Sequence, residues 1–158
     1  MNSPVGSITL LATESALVSL QWGRELARIP AWPRSADKRN AILPLAEAQL
    51  KEYFEGKRSC FDIPLAPAGT EFQKRAWAEL LSIPHGQTIT YGEQAKRMGR
   101  PKSTRAVGAA NGKNPIGIII PCHRVIGASG DLIGFAGGLE TKRLLLGIEG
   151  IRFAGGRA

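Results

Sequence analysis

Pro64, Pro67 and Gly69 fall within six consecutive positions of this chain. Proline withholds the N–H that a helix interior or a central strand needs, and glycine stiffens neither, so no regular element runs through this segment. The 158 residues are therefore read as two units, 1–66 and 67–158. Charge divides at the same place. Residues 1–66 hold eight Lys/Arg against seven Asp/Glu, whereas 67–158 hold thirteen against six, so +7 of the net +8 belongs to the second unit. A polyanion such as DNA fits that asymmetry, because neutralised phosphates release counterions; solubilising charge is the alternative.

A hydrophobic fraction of 43% with 22% charged residues describes a chain that can build cores. It has no apolar run of roughly 18 residues to span a membrane, and no basic stretch followed by an apolar core at its start, so a cytoplasmic location is expected. The two cysteines, Cys60 and Cys122, and two histidines, His85 and His123, form no paired metal-ligand signature. No metal or cofactor is expected. Cys60 reads as a small core hydrophobe.

In the first unit, Ile8 and Leu10, then Val18, Leu20 and Trp22, alternate on either side of a break at 12–16, which predicts a β-hairpin. Pro30, Pro33 and the polar stretch 34–40 interrupt the chain. Leu43, Ala46, Leu50 and Phe54 recur at helical spacing up to Gly56. Cys60, Phe61 and Ile63 suggest an edge strand. Trp22, Trp32, Tyr53 and Phe54 read as core or interface residues, and nothing in this unit carries chemistry.

The second unit opens with Thr70 and Gln73, a capping-box pair, ahead of Phe72, Ala76 and Leu80, with Trp77 and Leu81 alongside. Pro84 and Gly86 end that helix. Thr90 and Glu93 repeat the capping signature for a short helix that stops near Gly99. Pro101 is suited to start a third helix over 102–111. Two short helices joined by a tight turn suggest a helix-turn-helix. Ala106, Gly108, Ala109 and Ala110 make the third helix unusually small-sided, at a cost of about 1 kcal/mol for a mid-helix glycine. Either it packs tightly against a neighbour or it enters a narrow groove, with Arg105 as its one long inward reach.

Asn114 and Pro115 then lead into the apolar run 116–120 and Pro121-Cys122-His123-Arg124. A thiol attacks only when a base or a positive charge lowers its pKa, and His123 and Arg124 are the adjacent candidates. Adjacency alone makes no dyad, since neighbours on a strand face opposite ways; an inert buried cysteine is the competing reading. The glycine-rich loop 127–138 does not match a phosphate-binding loop and reads as a pocket wall for a flat ligand. Residues 139–146 predict a helix burying Leu144, Leu145 and Ile148, and 150–158 a short basic tail.

Taken together, Gly69-Thr70-Glu71-Phe72-Gln73, Trp77, Ile83-Pro84-His85-Gly86, Thr90-Tyr91-Gly92, Arg105-Ala106-Val107-Gly108, residues 111–115, residues 121–126, Gly137-Gly138 and Glu149-Gly150 resemble the methylated-DNA protein-cysteine methyltransferases, the alkylguanine-DNA alkyltransferases. The match spans nearly all of 69–150. It implies an α/β chain: a small amino-terminal α/β domain with a hairpin or sheet and a helix, then a mainly helical, winged helix-turn-helix-like alkyltransferase domain. It further implies direct-reversal repair, in which an alkyl group moves once and irreversibly from O6 of guanine, or O4 of thymine, to Cys122.

The resemblance also implies roles. His123 takes the thiol proton through a water, Glu149 orients His123, Tyr91 protonates the departing base, and Asn114 supports the active-site turn. Arg105 is the intercalating residue of a helix that, with Thr104, Ala106, Gly108 and Ala109, lies in the minor groove of double-stranded DNA while the target base is flipped out. Arg124 is placed with these DNA contacts, and Phe135, Gly137 and Gly138 with Tyr91 at the base pocket. Phe135 stands where many relatives carry tyrosine, which predicts a changed substrate range or slower transfer. A monomer is expected, with cooperative assembly on DNA left open. The rival readings are a winged-helix protein that binds alkylated DNA or regulates genes without repairing, and a cysteine hydrolase.

Overall fold

The computed structural model describes residues 1–23 and 40–152. The expectations for Pro30, Trp32, Pro33, 34–39 and the tail beyond 152 lie outside the described residues. The chain divides into two compact units, Met1–Pro67 and Ala68–Ala158.

In the first unit β1 (Asn2–Ser3), β2 (Gly6–Ala12) and β3 (Leu17–Trp22) form an antiparallel sheet in that order. Ile8 faces Trp22 and Leu10 faces Leu20, as the alternation predicts, but the register shifts between Leu11 and Ala12. The shift changes the parity of the strand end. Leu17 and Ser19 are buried as well as Leu20, while Val18 is half-buried. Leu17 is covered by the segment after the expected edge strand: its N–H donates to the Pro64 carbonyl at 2.9 Å and its carbonyl accepts from Ala66 at 2.9 Å. Residues 60–63 accordingly form no strand; a single parallel bridge, Leu17 to Leu65, stands in for it. Cys60 is exposed rather than part of the core.

Helix α1 (Ile42–Phe54) buries Ile42, Ala46, Leu50 and Tyr53, one stripe at helical spacing, against β2 and β3. Asn40 Oδ1 accepts from the amides of Ile42 and Leu43 at its start. Gly56, at φ 73°, ends it in a conformation that costs glycine little.

The second unit is mainly helical. Helix α2 (Glu71–Leu81) begins with the full reciprocal Thr70–Gln73 capping box, worth about 1 kcal/mol, and buries Ala76, Trp77 and Leu80. Leu81 points away and is 52% exposed. Strand β4 (Ile89–Thr90) runs straight into α3 (Tyr91–Arg97), whose cap is Thr90 Oγ1 accepting from Glu93 N. Helix α4 spans Thr104–Gly112, so Pro101 sits in the preceding turn rather than at the helix start. Ala76, Ala95, Met98, Val107 and Ala110 close one core between α2, α3 and α4, with Phe72 against it. Small residues here permit close helix packing. Polar locks fix the arrangement: Gln94 and Asn111 exchange side-chain hydrogen bonds at 3.0 and 2.7 Å, and Trp77 Nε1 donates to the Ala110 carbonyl at 2.9 Å.

Strand β5 (Val125–Ile126) pairs in parallel with β4, and α5 (Leu139–Ile148) follows the glycine-rich loop. Leu145 and Leu146 are fully buried in α5, whereas Leu144, expected inside, is 37% exposed.

Candidate active site

The apolar run 116–120 is buried, but it is a succession of turns, not a strand. Ile119 N–H donates to the Gly117 carbonyl at 2.8 Å around Ile118, whose φ is +70°. That is a γ-turn of the strained, positive-φ kind, and a β-branched residue in it costs about 1–3 kcal/mol. Pro121, at φ −85° and ψ 65°, makes an inverse γ-turn closed by Cys122 N donating to the Ile120 carbonyl at 2.9 Å. Asn114 staples the coil, since its Nδ2 donates to Ile120 O at 2.7 Å and its Oδ1 accepts from Ile116 N at 3.0 Å. Cys122 emerges from this scaffold at the start of a one-turn 3-10 helix, Cys122–Arg124.

Cys122 opens on a cavity of about 220 Å³ that is lined by Tyr91, Gly108, Asn111, Gly112, Gly134, Phe135 and Ala136 as well. Gly137 and Gly138, expected in its wall, lie outside the lining; Gly138 instead takes φ 90° to start α5. The loop's approach to the cavity is made one turn earlier, at Gly134. Gly108 looks into the cavity rather than outward, and a Cβ there would lie 3.8 Å from the Tyr91 ring. Thr104, Arg105, Ala106 and Ala109 form the exposed side of α4.

His123 and Glu149 are both buried, with His123 Nε2 2.7 Å from Glu149 Oε1. Burial works against ionisation of Glu149, yet the hydrogen bonds and charges of His123 and Arg124 outweigh it and hold the carboxyl well below the usual range. Glu149 therefore accepts, Nε2 carries the ring proton, and Nδ1 holds the lone pair. Nδ1 has no hydrogen-bond partner among the described residues. Burial lowers the pKa of His123, with Glu149 pulling the other way, so the ring rests neutral.

Arg124, expected at the DNA surface, is 7% exposed and turned inward. Its Nε and Nη2 donate to Glu149 Oε2 and Oε1 at 2.9 and 3.0 Å, and Nη1 donates to the Ile83 carbonyl at 2.6 Å. A buried guanidinium needs a carboxylate, and Glu149 supplies it.

Desolvation pushes the Cys122 thiol above its ordinary range, against smaller lowering effects of the Asn114 hydrogen bond and the Lys142 charge. The nucleophile thus rests as a thiol and must be deprotonated on demand. Tyr91 is likewise raised, by burial first and then by Cys122, so it stays a phenol able to donate a proton; its hydroxyl now donates to the Ile133 carbonyl at 3.0 Å.

Sequence reasoning missed Lys142. Its side chain is 0% exposed, donates to the carbonyls of Val125 (2.6 Å) and Ile133 (2.9 Å), and stands 5.8 Å from the centre of the Tyr91 ring. Burial brings it down to about 8, with Cys122 acting in the opposite direction. The available signal was its spacing within α5, in phase with the buried Leu145 and Leu146, where an apolar residue would be expected.

Known protein families match nearly the whole length of the chain. Residues 71–151 match the 6-O-methylguanine DNA methyltransferase, DNA binding domain, and residues 1–67 the 6-O-methylguanine DNA methyltransferase, ribonuclease-like domain. The chain is 48% identical over 151 residues to the methylated-DNA protein-cysteine methyltransferase of Methanosarcina acetivorans, with 94% of each chain covered. The crystal structure of Mycobacterium tuberculosis OGT in complex with DNA superposes with a TM-score of 0.85 at 46% identity, covering 94% of this chain and 89% of that one. An O6-methylguanine DNA methyltransferase from Methanococcus jannaschii gives 0.66 at 30% identity, covering 95% and 92%. With both halves matched in order and relatives near half-identical over almost their full length, the chain belongs to the methylated-DNA protein-cysteine methyltransferase family.

Proposed function

We propose that this protein repairs alkylated DNA by direct reversal, moving an alkyl group from O6 of guanine onto Cys122. The observation that carries this reading is the buried Glu149–His123 pair beside Cys122, which opens on a cavity that Tyr91 also lines. His123 Nδ1 takes the thiol proton, directly or through one water, and Glu149 stabilises the resulting imidazolium. The sulfur then attacks the alkyl carbon. The S–C bond forms as the C–O6 bond breaks, and the electron pair returns to the purine. Tyr91 leaves the Ile133 carbonyl and donates its proton to the departing base, so that no uncompensated anion is expelled into a desolvated cavity. The Tyr91 proton is replaced from His123 by way of solvent, and the net proton moves from thiol to guanine. Nothing in the site can displace carbon from a thioether, so each molecule acts once.

The partner is DNA. The small, exposed face of α4 around Ala106 and Ala109 suits a minor groove, and Arg105 is long enough to fill the stack behind a flipped nucleotide. Readout in that groove is degenerate, which suits lesions placed at random. No described helix is long and apolar enough to cross a membrane.

Incubation with an O6-methylguanine duplex, followed by mass spectrometry, tests the reaction. One added methyl per molecule, on the peptide carrying Cys122, is expected; Cys122→Ser abolishes it while DNA affinity persists. Methylation of Cys60, or repeated turnover, rejects the assignment. For the groove reading, Arg105→Ala should slow transfer from a duplex far more than from a single strand, and equal slowing would count against base flipping by this residue. A protein that only binds alkylated DNA has no use for this thiol and relay.

A further inference from the structure

Glu149 holds two side chains at once: the imidazole of His123 on Oε1, and the two-pronged Arg124 contact across both oxygens. A carboxylate set against an imidazole raises the ring's proton affinity. Unopposed in a buried site, it would favour a ring that is charged before the thiol needs it, and an imidazolium accepts no proton. The guanidinium fork lays a full positive charge on that same carboxylate. We infer that Arg124 is a positioning residue for alkyl transfer: it pins Glu149 as an ionised acceptor and offsets its field at His123, so the ring waits neutral with Nδ1 ready to take the Cys122 proton.

This rests on the reading of His123 as the base for Cys122. The geometry leaves the fork little freedom, because Nη1 is held on the Ile83 carbonyl and Gly86 N–H donates to Glu149 Oε2 at 3.3 Å. Only a planar, permanently charged fork spans both oxygens and the carbonyl together; an ammonium would supply charge without the alignment. The charged groups acting on His123 are Glu149 at the cap of α5, Lys142 within α5, and Arg124 in its own turn; α2, which also packs on that turn, adds none. Lys142 acts in the same direction as Arg124 but is held on carbonyls and does not touch the carboxylate. The lowered proton affinity of His123 agrees with the arrangement.

The test is a pH titration of the His123 ring nitrogens by NMR in the full-length, ¹⁵N-labelled protein. The wild type should show the Nε2–H tautomer and a midpoint below the ordinary value of about 6.5. Arg124→Met should move the midpoint up by roughly one unit, a tenfold gain in proton affinity. Arg124→Lys, which keeps the charge, should stay nearer the wild type. Citrulline at position 124 preserves the fork's shape without its charge and replaces the methionine variant should that one not fold. The acid limb of the single-turnover rate should move with the ring. An unmoved or lowered midpoint in a folded, uncharged variant, or a charged ring in the wild type at neutral pH, overturns the inference. Failure of the wild type to accept a methyl group would instead reject the proposed function, whatever His123 does.

Discussion

Replacing Asn114 with alanine removes two hydrogen bonds and one electrostatic effect that act at one point. The Ile116 amide, buried, loses its acceptor at 3.0 Å, which costs about 1–3 kcal/mol. The 2.7 Å bond to the Ile120 carbonyl is also lost, but that carbonyl keeps Cys122 N, so the net loss there is only about 0.5–1.5 kcal/mol. Together the variant should be destabilised by roughly 2–4 kcal/mol, measured by denaturant unfolding of the unalkylated protein. The third effect is electrostatic: the Asn114 amide favours the ionised form of Cys122. Losing that support should slow single-turnover transfer under saturating protein by about tenfold, or about 1.4 kcal/mol. Asn114→Asp separates the effects. It can still accept from Ile116 but sets an oxygen against the Ile120 carbonyl and brings a negative charge towards the sulfur, so it should be the slower variant. If the alanine variant transfers at the wild-type rate while losing stability, or the aspartate variant outruns it, the staple has no part in the chemistry.

Three further outcomes are expected. Lys142, brought down to about 8 from 10.5, binds its proton less tightly folded than unfolded, so its burial penalty is fully present below pH 8 and disappears as pH rises towards 10.5. The stability difference between wild type and Lys142→Met should therefore shift in favour of the wild type across that window, and a difference independent of pH would refute the assignment; transfer by the variant should be slower, since a cation near Cys122 is gone. Gly69→Ala would place a Cβ 2.5 Å from Trp77 Cη2, so overpacking should lower stability by about 1–3 kcal/mol in thermal unfolding and disturb the Trp77 bond to α4. Phe135→Tyr adds a hydroxyl at the cavity wall and should raise the rate on methylguanine DNA or alter the preferred alkyl group; an unchanged rate and substrate range would show that the ring face alone is used.

What could be read along the chain were features whose cause is local. The Thr70–Gln73 capping box, the stripe Ala46, Leu50 of α1, the break at 64–69 and the succession of short helices each depend on neighbours within a turn or two, and the proline-cysteine-histidine segment announces its chemistry by residue type. Orientation is another matter. Whether Arg124 reaches DNA or a carboxylate depends on Glu149, 25 residues later, arriving at the cap of α5. The edge strand moved from 60–63 to Leu65 because the β3 backbone found its partner at 64–66, which also left Cys60 in solvent. Lys142 is inside only because the carbonyls of Val125 and Ile133 converge on it. Local pattern settles which elements form; the desolvation and pairing of charged groups, and with them the resting state of the thiol, arise only when distant segments close around one another.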